Sequence, residues 1–212
     1  VEISMVEFQK IYELLGVRFD SYVGESFYND KMLQVIEALK EKELLVEDEG
    51  AWIVKLDEYN MPPALMLKRD GSSLYHTRDV AAAIYRKQTY DFVKAIYVTD
   101  YAQNLHFKQW FKVVELMEYD WSKNLEHVAF GRVTIDGARL ATRKGNVIKL
   151  EDLLQKAIDK TKEIIEARNP ALENKDEVAK QVGVGAIVFN DLKGNRITDI
   201  NFTWEEALNF DG

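Results

Sequence analysis

The sequence contains no cysteine and only three histidines in 212 residues, at positions 76, 106 and 127. Without thiols the chain forms no disulfide and offers no thiolate to a metal ion. The histidines fall in segments that the sequence predicts as loops, too scattered to form a zinc site. We therefore expect no protein-bound metal ion, and Mg²⁺ only as the partner of a bound nucleotide.

Long apolar runs and a secretory leader are also missing. No apolar stretch approaches the roughly 20 residues that span a bilayer, and the opening residues lack the basic start and small-residue cleavage site of a signal peptide. We therefore expect a cytoplasmic protein that does not contact a membrane. Position 1 is valine rather than methionine, so we also expect the chain to begin within a longer protein.

The net charge of −8 and the pI of about 5.1 describe an acidic protein. Such a charge argues against a protein that coats nucleic acid through overall attraction. Basic residues are nevertheless concentrated between positions 132 and 149, against a single acid. They are Arg132, Arg139, Arg143, Lys144 and Lys149. Charge alone favours a solvated loop as much as an anion-binding one.

Apolar residues make up 47 % of the chain, which is enough for a substantial core. Their spacing predicts where the helices and strands lie. Helical spacing predicts a helix from Val1 to Leu15 that ends at Gly16. The following VRFDSYVGES is predicted as a short strand and loop, and LLVEDEGAWIVKL as a β-hairpin around an Asp-Glu-Gly turn. Pro62 and Pro63 place a soft domain boundary near residue 60.

Strand and helix patterns alternate from residue 61 to residue 150. The predicted strands are LMLKR, KAIYVTD and EHVAFGRVTI, with KAIYVTD of the fully buried type, and two helices separate them. Thr77 or Asp79 is expected to open the first helix. This order is half of a doubly wound parallel sheet, so the predicted fold class is α/β, followed after Leu150 by amphipathic helices.

Several polar residues follow these strands, where an α/β sheet binds its ligands. Tyr75 and Asp79 are four residues apart at a helix start and can project to one side, so the carboxylate could bind a guanidinium or an ammonium group. Asp79 could instead cap the helix or pair with Arg78 or Arg86. Gln103 follows the KAIYVTD strand, where it is either a ligand-binding amide or an ordinary loop residue.

Further candidates suit a nucleotide. His106 begins a helix, where an imidazole and free N–H groups can bind phosphate, although an exposed histidine is the commoner case. Phe130 and Gly131 offer strand-end backbone to an adenine, unless the phenylalanine belongs to the core. Arg143 and Lys144 could stabilise a pyrophosphate leaving group by their charge.

In combination these segments resemble one family. LYHTRDVAAAIYR, AQNLHFKQWF, HVAFG and LATRKGNVIKLEDLL, in that order, resemble the arginyl-tRNA synthetases, which are class I aminoacyl-tRNA synthetases. GESFYNDKM upstream and VGVGAIVFNDLKGNRITDINFTWEEALNFDG downstream are also similar to that family. The resemblance implies the second half of a class I synthetase Rossmann-like parallel sheet, with a small α/β insertion part before it and a helical stem-contact region after it.

By this resemblance, residues 1–60 are the end of a connective insertion with helices and a β-hairpin. Residues 61–150 are the second half of the catalytic domain, and residues 151–212 are the start of the stem-contact region. The HIGH signature, the N-terminal domain and the anticodon-binding domain have no counterpart in the sequence. The resemblance therefore implies an internal fragment, which by itself should not form an adenylate.

The resemblance also implies roles for single residues. Tyr75, Asp79 and Gln103 would hold the side chain of the substrate arginine, with Asp79 facing its guanidinium. The residues bordering the ATP site would be His106, His127, Phe130 and Gly131.

By the same resemblance, the segment RLATR, residues 139–143, would stand at the KMSKS loop, whose cations stabilise the transition state of adenylate formation. Arg139 replaces the first lysine of that motif, and Thr142 stands in place of the second. The sequence leaves open whether Arg143, Lys144 or a residue outside the chain supplies the missing charge.

The implied activity is that of an arginine–tRNA ligase, which activates L-arginine with ATP and transfers it to the 3′ end of arginine tRNA. L-Arginine, ATP with its Mg²⁺ and arginine tRNA are the expected partners. Two alternatives remain open: a related nucleotidyl transferase with another substrate, and a non-catalytic module that binds RNA or protein. We expect no oligomer beyond self-association of exposed strands.

Overall fold

The structure, a computed structural model, describes residues 2–70, 72, 75–135, 138–139 and 149–207. The chain forms two compact units. One is Ser21–Phe130, and the other combines Val1–Asp20 with Gly131–Gly212. These limits differ from the predicted boundaries near residues 60 and 150, since paired strands lie on both sides of residue 60. No helix within the described residues has both the length and the apolar character needed to cross a membrane.

Seven helices and eight strands are assigned in the described residues. The helices are α1 (Glu2–Leu15), α2 (Met32–Glu41), α3 (Tyr75–Tyr90), α4 (Asn104–Leu116), α5 (Leu150–Arg168), α6 (Lys175–Leu192) and α7 (Trp204–Ala207). The strands are β1 (Leu45–Asp48), β2 (Ala51–Val54), β3 (Ala64–Leu67), β4 (Ala95–Asp100), β5 (Leu125–Phe130), β6 (Val133–Ile135), β7 (Ala138–Arg139) and β8 (Ile200–Phe202).

Strands β1, β2 and β3 form an antiparallel sheet in the unit Ser21–Phe130. The predicted hairpin is confirmed: β1 pairs with β2 around Glu49 and Gly50. Both turn residues have positive φ, 48° and 81°, as the tight turn between twisted strands requires. Strand β3 pairs with β2 rather than with a parallel strand. The prediction that this segment is the first strand of the parallel sheet was therefore wrong.

Strands β4 and β5 form a parallel pair in the same unit, in register from Ala95 opposite Leu125 to Asp100 opposite Phe130. The core of the unit joins α2, α3, α4 and the sheets, and its largest fully buried side chains include Trp110, Leu39, Leu56 and Met66. The prediction that β4 is buried on both faces was wrong. Ile96 and Val98 are 56 % and 61 % exposed, because the core covers only the opposite face.

The other unit is built from both ends of the chain. Strand β6 pairs antiparallel with β7 and parallel with β8, so the predicted strand EHVAFGRVTI is two strands in different units. A small core joins α1, α5, α6 and β8. It contains Leu154, Ala157, Ile187 and Phe202, against which Ile11, Leu14 and Leu15 pack.

The predicted helix at the start of the chain is confirmed as α1, followed by Gly16 at a φ of 68°. The short strand predicted after it was wrong, because residues 17–20 form no strand. Phe19 packs its ring edge-on against Tyr12, with the ring centroids 4.8 Å apart. The apolar side chain thus contacts the preceding helix instead of lying in a sheet.

Candidate functional site

Helix α3 begins at Tyr75, so neither Thr77 nor Asp79 opens it, contrary to the sequence-based expectation. Thr77 is fully buried, and its Oγ1–H donates a hydrogen bond of 2.6 Å to the carbonyl oxygen of Met66 in β3. This bond anchors the first turn of α3 on the neighbouring strand. Asp79 is the fifth residue of the helix and has a side chain that is 38 % exposed. It therefore does not serve as a cap.

The carboxylate of Asp79 contacts a side chain of the neighbouring helix α4. Its Oδ2 lies 2.5 Å from Nε2 of His106, the third residue of α4. The two arginines that sequence spacing offered as partners are engaged elsewhere. Arg78 donates to Glu25 at 2.8 Å, and the guanidinium of Arg86 lies over two tyrosine rings. Asp79 is thus linked to a histidine and not to a neighbouring cation of its own helix.

A tight turn leads from β4 into α4. The side chain of Asp100, the last residue of β4, accepts a hydrogen bond of 2.7 Å from the N–H of Ala102. This bond shapes the 3₁₀ turn Tyr101–Gln103, and α4 starts at the next residue. The exposed Gln103 therefore lies one turn before His106 at the carboxyl end of β4. The sequence did not single out Asp100.

The Asp79–His106 contact brings the beginnings of α3 and α4 together. Tyr75 lies one turn before Asp79, and Gln103 lies one turn before His106, so all four residues occupy the N-terminal ends of two neighbouring helices. The Tyr75 side chain is largely exposed. Because a single 3₁₀ turn connects β4 to α4, this corner lies at the carboxyl edge of the parallel strands, where open α/β sheets bind ligands.

His127 and Phe130 lie on β5. The His127 ring stacks on Phe107, with the ring centroids 4.1 Å apart and the planes 9° from parallel. Its Nε2 lies 2.8 Å from Oγ1 of Thr99 in β4, so this ring is held from two directions. Phe130 is exposed and stands opposite Asp100 in the strand register. Phe130 and the turn before α4 therefore both lie at the carboxyl edge of the β4–β5 pair.

Gly131 belongs to the unit that combines the two ends of the chain. Its N–H donates to the carbonyl oxygen of Arg196 at 2.7 Å, and a Cβ on this residue would lie 2.4 Å from the carbonyl oxygen of Thr198. Close backbone packing thus requires glycine here. Arg139 ends β7, and its side chain lies outside the described part of the structure. Arg143 and Lys144 lie outside the described residues.

The expectation that the histidines lie in loops was wrong. His76 is in α3, His106 in α4 and His127 in β5, and the rings of His76 and His106 are 4.4 Å apart. Burial, and then the nearby His106, lowers the pKa of His76. This pair could not be predicted from the sequence, because the two residues meet only through the packing of α3 against α4. The described residues contain no group of three His, Asp or Glu side chains that could hold a metal ion.

Residues 1–204 match the family described as tRNA synthetases class I (R), catalytic domain. The arginine–tRNA ligase of Alkaliphilus metalliredigens is 62 % identical over 99 % of this chain and 37 % of its own length. That of Clostridium perfringens is 57 % identical over 100 % of this chain and 37 % of its own. The chain thus spans little more than a third of the curated relatives that it matches.

The solved structures that resemble this chain are also arginyl-tRNA synthetases. The arginyl-tRNA synthetase from Plasmodium falciparum has a TM-score of 0.85 at 30 % identity, over 100 % of this chain and 36 % of that one. The Thermus thermophilus arginyl-tRNA synthetase has a TM-score of 0.81 at 19 % identity, over 94 % and 40 %, a likeness of fold alone. The predicted fold class is confirmed. The chain belongs to the family of arginyl-tRNA synthetase catalytic domains of class I.

Proposed function

We propose that the protein containing this chain is an arginine–tRNA ligase. The carboxylate of L-arginine attacks the α-phosphorus of ATP, a new bond forms between carboxylate oxygen and phosphorus, and pyrophosphate leaves. A hydroxyl of the terminal ribose of arginine tRNA then attacks the carbonyl carbon of the arginyl-adenylate, and AMP leaves. This reaction belongs to translation in the cytoplasm, and ATP enters with its own Mg²⁺.

The observation that carries the proposal is the Asp79 carboxylate at the meeting of α3 and α4. It is partly exposed, it has no cationic partner on its own helix, and it lies at the carboxyl edge of β4. A guanidinium binds a carboxylate through two parallel hydrogen bonds, which gives specificity as well as strength. Tyr75 and Gln103, one helical turn before Asp79 and His106, add a phenol and an amide at the starts of the same two helices, and we assign all three side chains to a substrate arginine.

We assign the nucleotide site from the family resemblance. By that resemblance, His106, His127, Phe130 and Gly131 would border ATP. Charge for the departing pyrophosphate would come from the segment with Arg139, Arg143 and Lys144. In-line transfer between arginine and ATP depends on positioning and on stabilisation of charge, and needs no covalent nucleophile. This requirement agrees with a site of polar, imidazole and cationic side chains.

Arginine-dependent ATP–pyrophosphate exchange, measured on the full-length gene product with and without arginine tRNA, tests the proposal. Asp79→Asn removes the negative charge but keeps a side chain that can contact His106. We expect it to reduce kcat/KM for arginine by about 100-fold or more, as for the loss of a hydrogen-bonded charge at a ligand. Asp91→Asn, at the exposed residue that directly follows α3, is the matched control and should exchange normally.

Other outcomes would overturn the assignment. Exchange that depends on a different amino acid would indicate a related nucleotidyl transferase. Absence of exchange under every condition, together with retained RNA or protein binding, would indicate a binding module. Equal activity of Asp79→Asn and Asp91→Asn would leave arginine ligation in place but remove Asp79 from substrate recognition.

A further inference from the structure

One oxygen of the Asp79 carboxylate is already bound within the protein. Its Oδ2 lies 2.5 Å from Nε2 of His106, and the two side chains are 38 % and 24 % exposed. A partly exposed aspartate on a helix can adopt several rotamers. A short hydrogen bond from a fixed donor selects one of them. The other oxygen of the carboxylate then has a defined direction before any ligand arrives.

The donor is itself held in place by ring contacts. The His106 ring packs against the His76 ring, with centroids 4.4 Å apart, and meets Phe107 edge-on at 5.6 Å. In the neutral ring of His76, Nε2–H donates to Oε1 of Gln109 at 3.2 Å, and Nδ1, which lies 3.2 Å from the carbonyl oxygen of Leu65, can donate only when the ring is protonated. His106 therefore rests on a ring that cannot turn without breaking a contact.

Gln109 completes the support. Its Nε2–H₂ donates to the carbonyl oxygens of Pro62 and Pro63, at 2.9 and 3.1 Å. Because both partners are acceptors, the amide oxygen must face His76. Gln109 is buried. A continuous series of contacts thus runs from the backbone before β3, through Gln109, His76 and His106, to the carboxylate of Asp79.

We propose that His106 is a positioning residue for the amino-acid substrate, which holds Asp79 in the orientation that receives the guanidinium. This inference rests on the proposed arginine–tRNA ligase function and adds a role for His106 besides its predicted place at the ATP site. The Nε2–H donates in both the neutral tautomer and the imidazolium form, so the contact does not depend on one protonation state. A preoriented carboxylate binds a ligand without first losing rotamer freedom.

Three substitutions of His106 in the full-length product separate its functions. His106→Phe keeps a ring against His76 but removes the donor. His106→Gln places an amide N–H₂ near the position of Nε2, whereas His106→Asn is too short to do so. We expect His106→Phe and His106→Asn to raise the KM for arginine about tenfold, as for a lost hydrogen bond to a charged group, and His106→Gln to restore most of it.

The KM for arginine should rise more than the KM for ATP in the same variants, because the lost contact is with the carboxylate that receives the guanidinium. Lys108→Gln, on the exposed face of α4, is the control for changes in that helix. A rise in the KM for ATP with an unchanged KM for arginine would assign His106 to the nucleotide alone. Equal values for His106→Gln and His106→Asn would also overturn the inference.

The two proposals fail in different ways. Absence of arginine-dependent exchange in the unsubstituted protein would overturn the ligase function and this inference with it. Normal exchange in the unsubstituted protein, together with an unchanged KM for arginine in His106→Phe, would overturn the inference alone.

Discussion

Gly183 of α6 lies against the backbone of Ile158 in α5. A Cβ built on the glycine would be 2.9 Å from both the Cα and the nitrogen of Ile158, closer than carbon atoms pack. The two helices therefore meet through their main chains at this point. Gly185, two residues further along α6, has no such neighbour within 4 Å, so the two glycines have different roles.

These glycines provide a matched pair of substitutions. Gly183→Ala must push α5 and α6 apart, and we expect it to lower stability by about 1–3 kcal/mol, the range for overpacking. Gly185→Ala meets only open space and should raise stability by roughly 0.5–1 kcal/mol, the usual gain for alanine within a helix. Amide hydrogen exchange of α5 and α6 in the full-length product measures both. The same effect from both changes would contradict the close helix contact.

The bond from Thr77 to Met66 should contribute measurably to stability. Thr77→Val keeps the shape of the side chain but leaves the Met66 carbonyl without its hydroxyl partner, at a cost of about 1–3 kcal/mol. Thr77→Ser keeps the hydroxyl and removes one buried methyl group, for which we expect about 1 kcal/mol. Urea unfolding followed by tryptophan fluorescence, to which the buried Trp110 contributes, compares them. A valine variant as stable as the parent would show that this bond is not needed.

Acid should weaken the unit Ser21–Phe130 through His76. Burial, and then His106, lowers the pKa of His76, while the bonds to Gln109 and Leu65 and the charge of Asp79 oppose the shift. Between the lowered pKa and the ordinary value of about 6.5, the unfolded state binds more protons than the folded state. The free energy of unfolding therefore rises with pH through this window and falls on acidification.

His76→Gln removes the titrating group, so its unfolding free energy should change less than that of the parent between about pH 7 and about pH 5. Urea unfolding at several pH values measures the two slopes. Parallel curves for parent and variant would show that protonation of His76 does not limit stability in acid.

Local sequence signals predicted much of the fold. The apolar spacing of the first residues marked α1, and Glu49–Gly50 between two β-rich runs marked the hairpin, because each pattern is complete within a few residues. The pairing of β3 with β2 was missed, because spacing defines a strand but not its neighbour. The exposed face of β4 was missed for the same reason: Ile96 and Val98 are apolar whether or not another element covers them.

At the candidate site, too, local features could be predicted from the sequence and tertiary contacts could not. Asp79 was predicted from its position near a helix start and from family resemblance. Its contact with His106 could not be predicted, since it depends on how α3 packs against α4. His76 and Gln109 carried no signal at all, because their importance comes from the carbonyl and amide groups that surround them in the folded chain. Polar networks of this kind form only in tertiary structure.

The unit built from both ends of the chain has a consequence for synthesis on the ribosome. Helix α1 precedes Ser21–Phe130 in the chain, yet the residues that pack against Ile11 and Leu14 belong to α5, α6 and β8, which emerge only after that unit. The contiguous unit can assemble meanwhile, as domains generally fold once their residues are present. Until α5, α6 and β8 emerge, Ile11 and Leu14 lack these packing partners, so the core of the unit built from both ends is completed only after Ser21–Phe130 has been made.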